Sequence, residues 1–333
     1  MRACQAKLQQ HYYCHSTVIL NTCAGGCDNM PLFINGLSIG HVPKSLQEFF
    51  DRYDFKSSSK RLCCQSCKMH SQDEGVLYVG QREMAVTSPE DGVFNILGTE
   101  DATTCHIVVL RHTGSGAVCL AHFDGSGVQK AAKEMLRLVK EFPDSSGRLE
   151  LHLIGGFCDE RGVSAELSIK TLEAFHDIED DIFLETCCIT DMNNIRKKNL
   201  PFPNIYGIAI DIKTGEISKA SFADHGPDQP LRSARHFTGS EDVLNIYDPK
   251  SNTLTIGPFN YSTMDEIDLL CGLPKSFIRE HLSTSPEQEP PYFEDHVRAA
   301  LLQIKEHPEP LKTVFKDGKP HCYKLENKKW KPV

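Results

Sequence analysis

The sequence predicts an α+β fold: a sheet core with mostly antiparallel neighbours and helices on one face. Three observations carry that expectation. Short Val/Ile/Leu-rich runs outnumber stretches of helical spacing, and several are joined by tight turns such as Gly114-Ser115-Gly116 and Lys213-Thr214-Gly215. One run, Ile107-Val108-Val109-Leu110, is apolar on both faces, as in a strand covered on two sides. At 333 residues, with 40% hydrophobic and 24% charged side chains, the chain is long enough for a full core.

Taken in order, residues 1–29 hold Cys4, Cys14, Cys23 and Cys27 among polar residues without periodicity. They read as an N-terminal extension with little fold of its own, with Met30 as an alternative start. A catalytic domain is expected over 30–281, opening on a strand from Met30 to Ile34. Residues 43–71 look helical and charged, anchored by Phe49, Phe50, Tyr53 and Phe55. Residues 76–79 and 83–87 read as a strand pair or one bent strand, closed by the turn residues Ser88-Pro89-Glu90-Asp91-Gly92. A short strand at 93–97 ends at Gly98, and a hairpin follows over 105–125. Helical spacing marks 128–142, stopped by Pro143, and 164–175, with a strand at 149–154 between them. Further strands are expected at 182–189, 205–212 and 216–222, and a hairpin of 243–247 with 253–256 around Asp248-Pro249. Ser, Pro and Glu make 282–291 read as a linker. A C-terminal helix at 296–304 and a basic, polar tail complete a unit, 282–333, packed on the core.

Composition excludes several classes. With 36 basic and 45 acidic residues the formal charge is −9, and Arg196-Lys197-Lys198 is too short to track phosphates, so no nucleic-acid surface is expected. No run approaches the ~18 apolar residues of a membrane span. Thr17-Val18-Ile19-Leu20 falls short of the ~7–15-residue apolar region of a signal peptide. The chain therefore reads as cytoplasmic, with the nucleus as a second location, where thiols stay reduced. Its 14 cysteines are then not a disulfide framework; Cys105, Cys119, Cys187 and Cys188 lie in apolar runs, where cysteine behaves as a small hydrophobe. Cys23-x3-Cys27 and Cys63-Cys64-Gln65-Ser66-Cys67 could supply four zinc thiolates, but the spacing is loose and the cysteines read as incidental, with no metal expected.

The hairpin carries the chemistry. A polar approach, Leu97-Gly98-Thr99-Glu100-Asp101-Ala102-Thr103-Thr104, delivers Cys105 to an apolar run, and the returning run carries His122. With a four-residue loop, paired positions sum to 229 and Cys105 faces Asp124, with His122 on the same face; with a two-residue loop the sum is 227 and Cys105 faces His122. Both registers put thiol and imidazole on one face. His106, His112 and Cys119 point to the other. A free thiol near pKa ~8.5 is only a few per cent thiolate at neutral pH, so an imidazole base would activate it. Thr99 could orient that imidazole or bind substrate, and Thr103 and Thr104 with nearby amides could form an oxyanion hole. The plainer reading is a buried strand cysteine beside a core histidine.

Long motifs shift that balance. Leu77-Tyr78-Val79-Gly80-Gln81-Arg82-Glu83-Met84-Ala85-Val86-Thr87-Ser88-Pro89, Asp101 through Gly114, Tyr206-Gly207-Ile208-Ala209-Ile210 and Leu282-Ser283-Thr284-Ser285-Pro286 resemble the protein N-terminal asparagine amidohydrolase family from about Met30 onward. The family's catalytic cysteine falls on Cys105. A more distant similarity is to bacterial chemoreceptor-glutamine deamidases, which have a threonine six residues before the cysteine and a histidine seventeen after it, the places of Thr99 and His122. It implies a layered α/β/β sandwich. Together the resemblances imply deamidation of an N-terminal asparagine to aspartate through a thioester, without a cofactor, by a monomer that feeds arginyl transfer and ubiquitin ligation in the N-degron pathway. Selecting a free N-terminus calls for a carboxylate to meet the α-ammonium, and Asp101, Asp124 and Glu83 are the candidates, with Thr104 beside them. The rival classes are a thiol protease or acyltransferase, which would need a long groove, and a non-catalytic adaptor that binds N-termini.

Overall fold

The computed structural model describes residues 32–333 apart from 143, 145, 262, 263 and 265. Its strands in chain order are β1 (Leu32–Ile34), β2 (Leu37–Ser38), β3 (Lys68–His70), β4 (Val76–Tyr78), β5 (Glu83–Thr87), β6 (Ile96–Thr99), β7 (His106–His112), β8 (Val118–Phe123), β9 (Leu149–Gly155) and β10 (Ile182–Ile189). Then follow β11 (Asn194–Lys197), β12 (Leu200–Pro203), β13 (Ile208–Asp211), β14 (Ile217–Phe222), β15 (Leu244–Asn245), β16 (Tyr247–Asp248), β17 (Thr253–Ile256), β18 (His321–Glu326) and β19 (Lys329–Pro332). An eight-stranded sheet runs β15-β5-β8-β7-β9-β10-β1-β2, and a five-stranded sheet runs β3-β14-β13-β6-β4. A four-stranded antiparallel sheet, β16-β17-β18-β19, is built largely from the basic tail that carried no strand signal.

Side-chain alternation on β7 and β8 builds the layers. Val108, Leu110, Cys119, Ala121 and Phe123 enter one core with the helices Leu46–Arg52, Val128–Val139 and Val163–His176. Ile107, Val109, Val118 and Leu120 enter a second core against Leu97, Ile208 and Ile210 of the five-stranded sheet. Helices, sheet and sheet therefore stack as the expected α/β/β sandwich, and antiparallel pairings dominate. A third cluster joins the helices Ile267–Cys271, Lys275–Leu282 and Phe293–Glu306.

The central hairpin takes the four-residue loop: His112 N donates to Ala117 O at 2.8 Å, and Ile107 pairs with His122. Four local expectations change. The stretch expected to be helical over 43–71 is helical only to Cys63, and Lys68–His70 is instead β3, paired with β14. Residues 76–79 and 83–87 do not pair; β4 joins the five-stranded sheet and β5 the eight-stranded one. The strand expected at 93–97 runs instead over Ile96–Thr99, through Gly98, where a Cβ would lie 2.0 Å from the Phe222 ring. Only a glycine lets the two strands meet that ring. The hairpin around Asp248-Pro249 is confined to β16 and β17, because β15 leaves to pair with β5. The extension, the start at Met30, Cys23 and Cys27 lie outside the described residues; among those described, Cys64 and Cys67 are exposed and no metal-binding cluster forms.

Candidate active site

Cys105 immediately precedes β7, and His122 is the fifth residue of β8; both line a recess of about 170 Å³ at the end of the inter-sheet layer. That is below the ~300–1,000 Å³ of pockets for drug-sized ligands, room for a single terminal residue rather than a length of chain. Thr99, the last residue of β6, reaches across from the other sheet, its Oγ1 2.8 Å from His122 Nδ1. His122 Nε2 is buried and makes no hydrogen bond among the described residues. A ring held through Nδ1 leaves Nε2 to act.

Burial brings His122 down to about 4, against the opposing pull of Asp124 and Glu83. Burial also pushes the Cys105 thiol well above its ordinary value, reinforced by Asp124 and Glu289 and opposed by Arg82. The resting pair is therefore neutral thiol and neutral imidazole. Such a pair suits proton transfer in step with attack, not a standing thiolate.

The backbone beneath the thiol is held tightly. Gly156 N donates to Cys105 O at 2.9 Å. Gly155 has φ +125°, and a Cβ there would come within 2.6 Å of the same oxygen. The Gly155-Gly156 pair thus seats the nucleophile's own backbone. The residues that parity sets aside do point away: His106 Nε2 is 2.7 Å from Ser168 Oγ in the helical layer, Cys119 is buried there, and His112 meets Ser115.

The candidate carboxylates separate by partner. Glu83 is locked to Arg232, with Nε to Oε1 at 3.0 Å and NH2 to Oε2 at 2.5 Å, both side chains only 3% exposed. Asp124 accepts from Arg82 Nε at 2.5 Å and Gln81 Nε2 at 2.9 Å, and, despite burial, Arg82 holds it down to about 2. Both line the recess with their charge already answered. Asp101 differs. It adopts φ +63°, its side chain accepts from Tyr292 OH at 2.7 Å, and among the described residues it makes no ion pair. Burial, with Glu100 nearby, raises it to about 6.

A second such carboxylate escaped the sequence reading. Glu289 lines the recess, accepts from Ser283 Oγ, and is raised to about 7 by burial, with Asp101 adding to the effect. It belongs to the segment expected to be a linker, which instead closes the recess: Ser283 and Ser285 are buried, and Thr284 Oγ1 lies 2.8 Å from Thr104 Oγ1. Arg279 fixes this segment through the carbonyls of Pro286, Glu289 and Pro290. The motif at 282–286 was the available signal, since a long family-like motif has no business in a passive linker. Thr103 is buried and lines the recess as well.

Comparison with known proteins agrees with the motifs. Residues 66–332 match the family described as Protein N-terminal asparagine amidohydrolase. The human protein of that name is 42% identical over 307 residues, 91% of this chain and 98% of its own. The mouse protein of the same name is 42% identical over 297 residues, covering 89% and 95%, and that of Arabidopsis thaliana is 29% identical over 300 residues, covering 81% and 82%.

Proposed function

Because the chain belongs to the protein N-terminal asparagine amidohydrolase family, we propose that it deamidates an asparagine at the N-terminus of a protein or peptide, with Cys105 as nucleophile and His122 as general base. The observation that carries the mechanism is the buried His122 Nε2, unpartnered among the described residues, in the recess that holds Cys105, with Nδ1 occupied by Thr99. Thr99 fixes the tautomer by accepting from Nδ1–H. Nε2 takes the thiol proton as sulfur attacks the side-chain carboxamide carbon. Amides at the approach to β7, with the Thr103 and Thr104 hydroxyls, meet the oxyanion. The imidazolium returns its proton to departing ammonia, leaving a thioester. Water, deprotonated by His122, then releases aspartate and restores the thiol.

Asp101 and Glu289 receive the α-ammonium. Each is a half-buried carboxylate raised chiefly by desolvation, and a bound ammonium would offset that cost. Asp124 and Glu83 instead hold Arg82 and Arg232 and so shape the recess. The small recess favours an amidase of chain termini over a protease or acyltransferase, which would need a groove. No cofactor is called for. A monomer acting in the cytoplasm and nucleus, whose aspartate product is passed to arginyl transfer and ubiquitin ligation, completes the proposal. Incubation with an Asn-initiated peptide tests it: ammonia and an Asp-initiated product are expected. Turnover surviving Cys105→Ala, or equal turnover of an N-acetylated peptide, would reject it.

A further inference from the structure

Away from the recess, two cysteines that the proposed reaction does not use meet where the helix Lys56–Cys63 packs on β10. Cys63 ends that helix and is half-buried, while Cys188 is buried on β10. Their sulfurs lie 3.6 Å apart although 125 residues separate them in the chain. That is van der Waals contact, roughly 1.5 Å longer than a disulfide bond of ~2.05 Å. Both Sγ atoms approach one acceptor, the Met192 carbonyl, at 3.6 and 3.7 Å. The shared acceptor draws the thiols to one point without a bond between them.

The surroundings of the two thiols are unequal. The hydrogen bond from Cys188 lowers Cys63 against the effect of burial, and the Lys219 ammonium adds to the lowering. The same contact, with burial, raises Cys188. Cys63 is also the more accessible of the two. One thiol is thus suited to react with a small oxidant and the other, already in contact, to resolve the product.

We propose that Cys63 and Cys188 form a reversible oxidation site that closes a disulfide between the helix and β10 when a small peroxide is the oxidant. The Cys63 thiolate attacks a peroxide oxygen; the O–O bond breaks, water leaves after protonation, and Cys63 becomes a sulfenic acid. Cys188 sulfur then attacks Cys63 sulfur, forming the S–S bond and expelling hydroxide, which departs as water with the Cys188 proton. Two electrons pass from the thiols to the peroxide, and one hydrogen peroxide yields two waters. A small thiol reaching half-buried Cys63 reverses the reaction. Cys64 and Cys67, both exposed and within four residues, are the competing partners.

The test treats the full-length protein with equimolar hydrogen peroxide, blocks free thiols with an alkylating reagent, and maps the digest by mass spectrometry. A Cys63–Cys188-linked peptide that disappears with dithiothreitol is expected, with a rise of several degrees in the thermal midpoint that reduction reverses. Cys63→Ser, at a half-buried helix end, should leave Cys188 fully reduced and abolish the rise. Linkage of Cys63 to Cys64 or Cys67, Cys63 trapped as sulfinic acid beside reduced Cys188, or oxidation of Cys188 unchanged in Cys63→Ser would overturn the proposal.

Discussion

The two unneutralised carboxylates make the acid limb of the pH–rate profile diagnostic. His122, brought down to about 4, is neutral and able to act as a base throughout the range above pH 5. Asp101 and Glu289, raised to about 6 and about 7, are both ionised only above about pH 7. Their charge captures the ammonium, and once that ion pair has formed both stay ionised, so the complex does not lose them as the pH falls. The limb in kcat/KM, which reports free enzyme, should therefore fall between pH 6 and 7, while kcat, which reports the complex, stays flat to near pH 4–5. Because the pair interacts, it titrates in macroscopic steps, and kcat/KM should drop about tenfold per pH unit below the first step and more steeply below the second. Asp101→Asn keeps the left-handed backbone that asparagine tolerates and removes one charge. Losing a charge-assisted hydrogen bond costs about 2 kcal/mol, roughly thirtyfold in kcat/KM with kcat little changed, and the remaining limb should move down as Glu289 loses a like-charged neighbour. The assay is ammonia release from an Asn-initiated peptide between pH 4.5 and 8.5. A limb of equal midpoint in kcat and kcat/KM, or an unchanged profile in Asp101→Asn, would refute the assignment.

Other outcomes follow from the same geometry. Thr99→Val keeps the β-branched shape but frees Nδ1, so kcat should fall about tenfold or more with KM steady, and Thr99→Ser should restore it. Glu83→Gln leaves Arg232 as an uncompensated buried charge; a loss of about 3 kcal/mol in a denaturant titration is expected, exceeding any rise in KM. Gly155→Ala forces an L side chain to φ +125° and 2.6 Å from Cys105 O; it should cost about 3 kcal/mol and depress kcat together, whereas an unaltered denaturation midpoint would show the backbone there to be free to relax. His106, His152 and His236, each brought down to about 4 chiefly by burial, resist protonation in the fold. Since their unfolded values lie near ~6.5, stability should be full above that pH and fall as pH drops through 6 towards 4, by up to about 3 kcal/mol per histidine; a flat unfolding free energy over that range would contradict their burial.

What the sequence made legible was local and periodic. Parity on two strands separated His122 from His106, His112 and Cys119, because the pleat leaves no third direction. The hairpin register needed only a loop length. What stayed hidden depends on partners far along the chain. Asp124 and Glu83 could serve as ammonium receptors until Arg82 and Arg232 are placed, and Arg232 lies 149 residues from Glu83. Glu289 reads as a linker residue because Ser, Pro and Glu are also what a surface connection contains. Its place in the recess wall comes with Arg279 gathering three carbonyls of that segment, a tertiary event that no periodicity encodes.

The same late segment links recognition to reactivity. Glu289, one of the two carboxylates proposed to receive the ammonium, is also among the groups that push the Cys105 thiol up. An ammonium bound there would cancel part of that negative field. The thiol would then become easier to deprotonate only when a free N-terminus is in place, while Asp124, already offset by Arg82, would change little. A blocked or internal asparagine would meet a thiol still held protonated, as well as an unfilled ammonium site. On this reading the selectivity for chain ends acts on the chemical step as well as on binding. A neutral analogue lacking the α-amine should accordingly lose kcat and not merely affinity.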